Sequence, residues 1–396
     1  MSNTQKKNVP ELRFPGFEGE YSLDIFGNLA TNKSDKFNPQ NENASIDIEL
    51  DCIEQNTGRL IKIYNSKEFS SQKNKFNPQN VLYGKLRPYL NKYYFTKKSG
   101  VCSSEIWVLK STKEDKLLNL FLYYFIQTKR YSDVASKSAG SKIPRADWGL
   151  IENIRVYFPE LCEQQKIGEF FSKLDRQIEL EEQKLELLQQ QKKGYMQKIF
   201  SQELRFKDEN GNDYPEWVVK LIGDIGKVAM NKRIYKHETS ANEEIPFYKI
   251  GNFGKKADTF ISREQFNEYK EKYPYPKKGD ILISASGSIG KTIEYKGEEA
   301  YYQDSNIVWL DHNEEVLNVF LKYFYILVKW NGVEGTTIKR LYNKNILNTK
   351  IDLPTISEQQ KIGDFFCYID NLIEIQEQKL EFLKRRKQSL LQKMFV

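Results

Sequence analysis

Histidine and cysteine are scarce in this chain, two of the first and four of the second among 396 residues. His237 and His312 stand far apart in unlike surroundings, which gives no basis for a histidine-based catalytic dyad or a metal cluster. Cys52, Cys102, Cys162 and Cys367 lack metal-ligand spacing, so reduced thiols are the expectation. Long apolar runs are missing too. The longest, Leu117 to Ile126, is interrupted by Asn119 and falls well short of the roughly 20 residues that a membrane helix needs. The polar N-terminus carries no signal-peptide core. A cytoplasmic protein with no membrane partner is expected.

Motifs of nucleotide and methyl-donor chemistry are present only in fragments. Gly287-Ser-Ile-Gly-Lys-Thr292 resembles the end of a phosphate-binding loop, but the first glycine of that motif would fall at position 285, where this chain has Ala285. Asn38-Pro-Gln-Asn41 and Asn77-Pro-Gln-Asn80 lack the second proline and the aromatic residue of an adenine methyltransferase tetrapeptide, and read as turns. Gly251-Asn-Phe-Gly254 is too short and isolated for a cofactor loop. The chain is therefore read as non-catalytic, with no cofactor or metal of its own.

What the chain does have is a long internal repeat. Glu163-Gln-Gln-Lys-Ile-Gly168 returns as Glu358-Gln-Gln-Lys-Ile-Gly363, an offset of 195 (361 − 166). Self-similarity at this period divides the chain into two half-molecules. Glu11-Leu-Arg-Phe14 matches Glu203-Leu-Arg-Phe206, Phe121-Leu-x-Tyr-Phe125 matches Phe320-Leu-x-Tyr-Phe324, and Gly140-Ser-x-Ile-x-Arg145 matches Gly335-Thr-x-Ile-x-Arg340. Between these landmarks, short β-branched and aromatic runs alternate with Gly, Pro and Asn. They include Leu60 to Tyr64, Asn80 to Tyr83 and Ile106 to Leu109, followed by a helical stretch at Lys116 to Lys129. Asp280 to Ser284, Ile307 to Leu310 and a helix at Glu315 to Lys329 repeat the order.

The expected fold is α+β, with two similar globular domains (1–158 and 203–353), each followed by a long helix (159–202 and 354–396). Both helices carry a heptad seam, acidic in the first half and basic in the second, which favours an antiparallel, pseudo-two-fold symmetric coiled coil. Polar residues interrupt the seam at Glu181 and Lys192, and again at Gln376 and Lys387. A register with facing numbers summing to 568 sets Glu181 opposite Lys387 and Lys192 opposite Gln376, so that each polar seam residue meets another.

A net charge of +7 permits a nucleic-acid partner without demanding one. The candidate DNA contacts are Lys85, Arg87 and Tyr89 in a proline-constrained loop, together with Ser286, Ser288 and Lys291 in the glycine-rich one. Lys142 and Arg145, with Lys339 and Arg340, fall in the segments repeated just before each helix. An ordinary solvated turn competes for the loops, and a structural role for the arginines.

The duplicated Glu-Gln-Gln-Lys-Ile-Gly helices, separating two variable domains that each end in Gly-Ser/Thr-x-Ile-x-Arg, resemble the specificity subunit of type I restriction-modification systems. The resemblance covers nearly the whole chain. It implies two target-recognition domains that each read one half of a bipartite site on double-stranded DNA, and a helix pair that acts as spacer and docks two modification (methyltransferase) subunits. Restriction (endonuclease and translocase) subunits complete the complex. S-adenosylmethionine, ATP and Mg would be used by those partners. The competing class is a coiled-coil scaffold or dimerisation protein without DNA sequence readout, which leaves the two dissimilar domains unexplained.

Overall fold

The computed structural model describes residues 8–66, 71–137, 143–330 and 340–396. Two compact units divide the chain. Unit 1 comprises Met1–Lys184 with Glu377–Val396, and unit 2 comprises Leu185–Gln376. The long helices, Leu161–Phe200 and Ile356–Met394, each contribute one part to unit 1 and one to unit 2.

In unit 1 an antiparallel sheet runs in the order Ala30–Thr31, Ile106–Ser111, Val81–Gly84, Tyr93–Phe95. A second sheet sets Asp47–Ile48 parallel to Gly100–Cys102, which continues antiparallel to Lys73–Phe76. Ser22–Ile25 pairs with Arg155–Phe158, closing the domain just before the first long helix. Leu60 to Tyr64, expected as a strand, makes only isolated bridges through Leu60 and Tyr64. The helix expected at Lys116 to Lys129 is divided into Asn119–Phe125 and Lys129–Ala135. Thr128 explains the break, because its hydroxyl donates to the Phe125 carbonyl (2.7 Å) in competition with the helical ladder.

Unit 2 repeats the plan. Its antiparallel sheet runs Gly226–Ala229, Ile307–His312, Ile281–Ser284, Thr292–Glu294. Ile245–Tyr248 lies parallel to Tyr301–Tyr302, and Val218–Leu221 pairs with Lys350–Leu353. The ten-residue helix Arg263–Lys272 has no counterpart among the described helices of unit 1.

The repeated motif joins each long helix to its domain. Gln164 is fully buried. Its Oε1 accepts from the Leu118 amide (2.9 Å), while Nε2 donates to the carbonyls of Lys116 (2.7 Å) and Pro159 (2.8 Å). Gln359 does the same with Leu317, Glu315 and Pro354. The preceding glutamates are buried as well: Glu163 takes two hydrogen bonds from Arg13, and Glu358 takes two from Arg205. The matching Glu-Leu-Arg-Phe segments thus exist to neutralise these carboxylates, which would be costly to bury alone. Gly168 and Gly363 allow close approach, since a Cβ at either would lie 2.7 Å from Leu120 or 2.5 Å from Val319.

Within each unit the two helix segments run antiparallel. In unit 1, Asp175 meets Lys387, Glu182 meets Lys384 and the Phe171 ring lies near that of Phe395. Unit 2 sets Lys192 against Asp370 and Phe200 near Phe366. The register differs from the expected one. The lysine–aspartate pairs sum to 562 (175 + 387 and 192 + 370), Glu182–Lys384 and both phenylalanine pairs sum to 566, all below 568, and Glu181 pairs with Lys379 rather than Lys387. The reason is that a polar seam residue need not meet another seam residue. Lys387 and Lys192 each extend to an aspartate beside the opposite seam, at 2.6 and 2.5 Å. Tyr124 and Tyr323 donate to the same aspartates at 3.0 and 2.8 Å. Gln376 is buried within unit 2.

Candidate nucleic-acid interface

In unit 1 three segments converge. The first is the loop from Lys85 to Lys92, which links Val81–Gly84 to Tyr93–Phe95 and carries Arg87 and Asn91 in the left-handed region (φ 51° and 47°). The second is the segment before the long helix. The Arg87 amide donates to the Pro144 carbonyl, and the Ala146 amide to the Lys85 carbonyl, both at 2.8 Å. This places Arg145 beside the loop, where its guanidinium holds Glu105 at 3.0 and 3.2 Å, a hydrogen bond that raises its pKa further. The third is the turn beginning at Leu50–Cys52 and continuing to Asn56. Lys92 Nζ donates to the Leu50 carbonyl, and Asn91 and Asn56 bond each other through backbone and side chain, both at 3.1 Å.

Unit 2 builds the same convergence from other residues. Its loop runs from Ala285 to Lys291. The Leu341 amide donates to the Ala285 carbonyl (2.9 Å), which brings Arg340 beside Ser286. The third segment is the turn beginning at Ile250–Asn252. Lys291 Nζ donates to the Phe253 carbonyl at 2.6 Å. Gly287 takes the left-handed conformation (φ 65°), and a Cβ there would press on Ile250 at 2.9 Å. The main-chain frame is common to both units: the Gly84 amide donates to the Lys92 carbonyl, as the Ser284 amide donates to that of Lys291, both at 2.8 Å.

Of the residues singled out in the sequence, Arg87, Tyr89, Ser288 and Arg340 are exposed, and Lys85 is half-buried. Ser286 is buried and its hydroxyl donates to Asn306 Oδ1 (2.7 Å), while Arg145 and Lys291 are exposed, the first holding Glu105 and the second donating to the Phe253 carbonyl. Lys142 and Lys339 lie outside the described residues. The sequence singled out the loop and the pre-helix arginine separately, without placing them side by side, and missed the turn and Lys92. One signal was available: a lysine stands immediately before the strand that follows the loop in both halves.

Residues 20–190, and again 214–385, match the type I restriction modification DNA specificity domain. The chain belongs to that family. Among relatives of this specificity-domain protein, one from Haemophilus influenzae, named as a type I restriction enzyme specificity subunit, is 42% identical over 261 residues. That match covers 63% of each chain, so it spans somewhat under two thirds of the relative's length. The MjaVIII specificity subunit of Methanocaldococcus jannaschii is 27% identical over 75% of this chain and 74% of its own. The fold is shared with a solved S subunit from M. genitalium (TM-score 0.58, 17% identity, 98% of this chain and 99% of that one). It is shared too with a chain solved in a study of complex assembly in a type I restriction-modification system (TM-score 0.59, 17% identity, 94% and 97%). Among the described residues of this specificity-domain protein, no helix is long and apolar enough to cross a membrane.

Proposed function

We propose that this chain is the DNA-reading subunit of a type I restriction-modification complex, with one half-site of a bipartite target read by each domain. The observation that carries this reading is the duplicated three-segment cluster. One main-chain frame presents different side chains in the two units, as two readers of two sequences require. The long helices are the elements to which two modification subunits dock, and restriction subunits join that assembly. Methyl transfer with S-adenosylmethionine, and ATP- and Mg-dependent cleavage, belong to those partners. The target adenine must be extruded from the duplex before a partner can methylate its N6. Methylome sequencing of a host carrying this chain with its modification subunits is expected to return one motif with two separated specified parts, while the purified chain alone methylates and cuts nothing. A continuous motif, or activity of the chain alone, would overturn the reading.

Exposed Arg87 and half-buried Lys85 suit phosphate contact in the first half-site. Replacing both with Ala is expected to weaken DNA binding by the complex and to lower the slope of log affinity against log salt by about one per lost phosphate contact. Titrations of a fluorescent duplex at several salt concentrations check this. An unchanged slope would remove the pair from the interface.

A further inference from the structure

The two lysines that fasten the turn to the loop occupy the same place in both units, yet the turns they hold are unlike in sequence. Lys92 reaches the Leu50 carbonyl and Lys291 reaches the Phe253 carbonyl. Beyond these anchors the first turn exposes Gln55 and Asn56, whereas the second exposes Gly251, Gly254, Lys255 and Lys256. Gly254 (φ 72°) lies over the Lys291 ammonium, 3.1 Å from where its Cβ would be. Because each lysine grips a main-chain carbonyl, the fastening works whatever side chains the turn carries. The gripped carbonyls differ by three places along the turn, Leu50 opening Leu50–Cys52 and Phe253 following Ile250–Asn252, but both belong to the main chain.

We propose that these turns are specificity-determining elements of the two half-sites, and that Lys92 and Lys291 are positioning residues which fix each turn against its loop. The inference rests on the half-site reading above. An amide at Gln55 and ammonium groups at Lys255 and Lys256 both form hydrogen bonds to base edges in the major groove, with different preferences. In this arrangement Lys291 acts on DNA through Phe253 and the turn.

The test uses the complete complex in a host, with the methylated motif as one readout and salt-dependent binding of a duplex carrying the wild-type motif as the other. Lys92→Met is expected to relax the first half of the motif alone and Lys291→Met the second alone, with about a tenfold loss of discrimination at the affected position. Lys291→Arg, which keeps a donor, should restore much of it. The salt slope should stay unchanged in Lys291→Met, whereas a lost phosphate contact would reduce it by about one. The exposed variants Gln55→Ala and Lys255→Ala/Lys256→Ala do not depend on the fastening for folding. Each should alter the same half as the lysine of its own domain. A wild-type motif without two halves would refute the underlying function. Two intact halves in every variant, or equal relaxation of both halves by one lysine variant, would refute the positioning role while leaving that function standing. If a lysine variant does not fold, unaltered motifs in the exposed variants decide against the proposal and a change in the matching half decides for it.

Discussion

Gln359→Leu is expected to destabilise unit 2 by about 3–6 kcal/mol, a large part of the roughly 5–15 kcal/mol that holds a typical domain folded. Leucine fills a similar volume but offers no polar atom. The Leu317 amide and the Glu315 and Pro354 carbonyls would lose the partners they now have at 2.8 to 2.9 Å. The glutamine is fully buried, so water cannot replace them without opening the packing. Urea unfolding followed by tryptophan fluorescence checks this, since Trp217 and Trp309 are both buried in unit 2. The neighbouring Gln360 is exposed and bonds only Asp364 one turn on, so Gln360→Leu should shift stability by no more than about 0.5 kcal/mol. Equal midpoints for the two variants would show that the repeated glutamine does not hold helix to domain.

Exchange of the first domain, residues 22–158, for that of a relative with a different target should replace one half of the methylated motif and leave the other untouched. Each mismatched base pair costs about 1–3 kcal/mol, so a half-site of several pairs amounts to orders of magnitude in preference. The exchange is tolerable because Gln164 grips the main chain at Lys116 and Leu118, which a relative supplies whatever its side chains, and at Pro159, which stays in place. Independent readout is expected because each unit has its own core, the first around Phe26, Phe121 and Phe171 and the second around Phe320 and Phe366. Change in both halves, or in neither, would contradict the assignment of one half-site to each domain.

Some of this was legible in the sequence, for a physical reason. Glu163, Gln164, Arg13 and Gly168 each meet a demand that only one residue type satisfies, so the duplicated chain shows them twice. The long helices were legible from their seams and their charge gradients. Their register was not. Asp175 and Asp370 stand one place beyond the seam residues Leu174 and Ile369, and a reading that matched polar seam residues to one another overlooked them. The fastened turns were hidden for the opposite reason. Leu50 and Phe253 take part through carbonyl oxygens, which every residue possesses, so their identity carries no mark of the role.

The division of the long helices between units has a consequence for synthesis. Unit 2 is one unbroken stretch, but unit 1 requires Glu377–Val396, and its core includes Leu383, Leu391, Met394 and Phe395. A chain growing from its N-terminus thus holds every residue of the second unit before it holds all of the first. The domain that emerges first is completed last. Until Phe395 arrives, the side of Phe121, Phe125 and Phe171 that it covers stays open, and a nascent chain of this design carries that apolar surface while the second unit is being made.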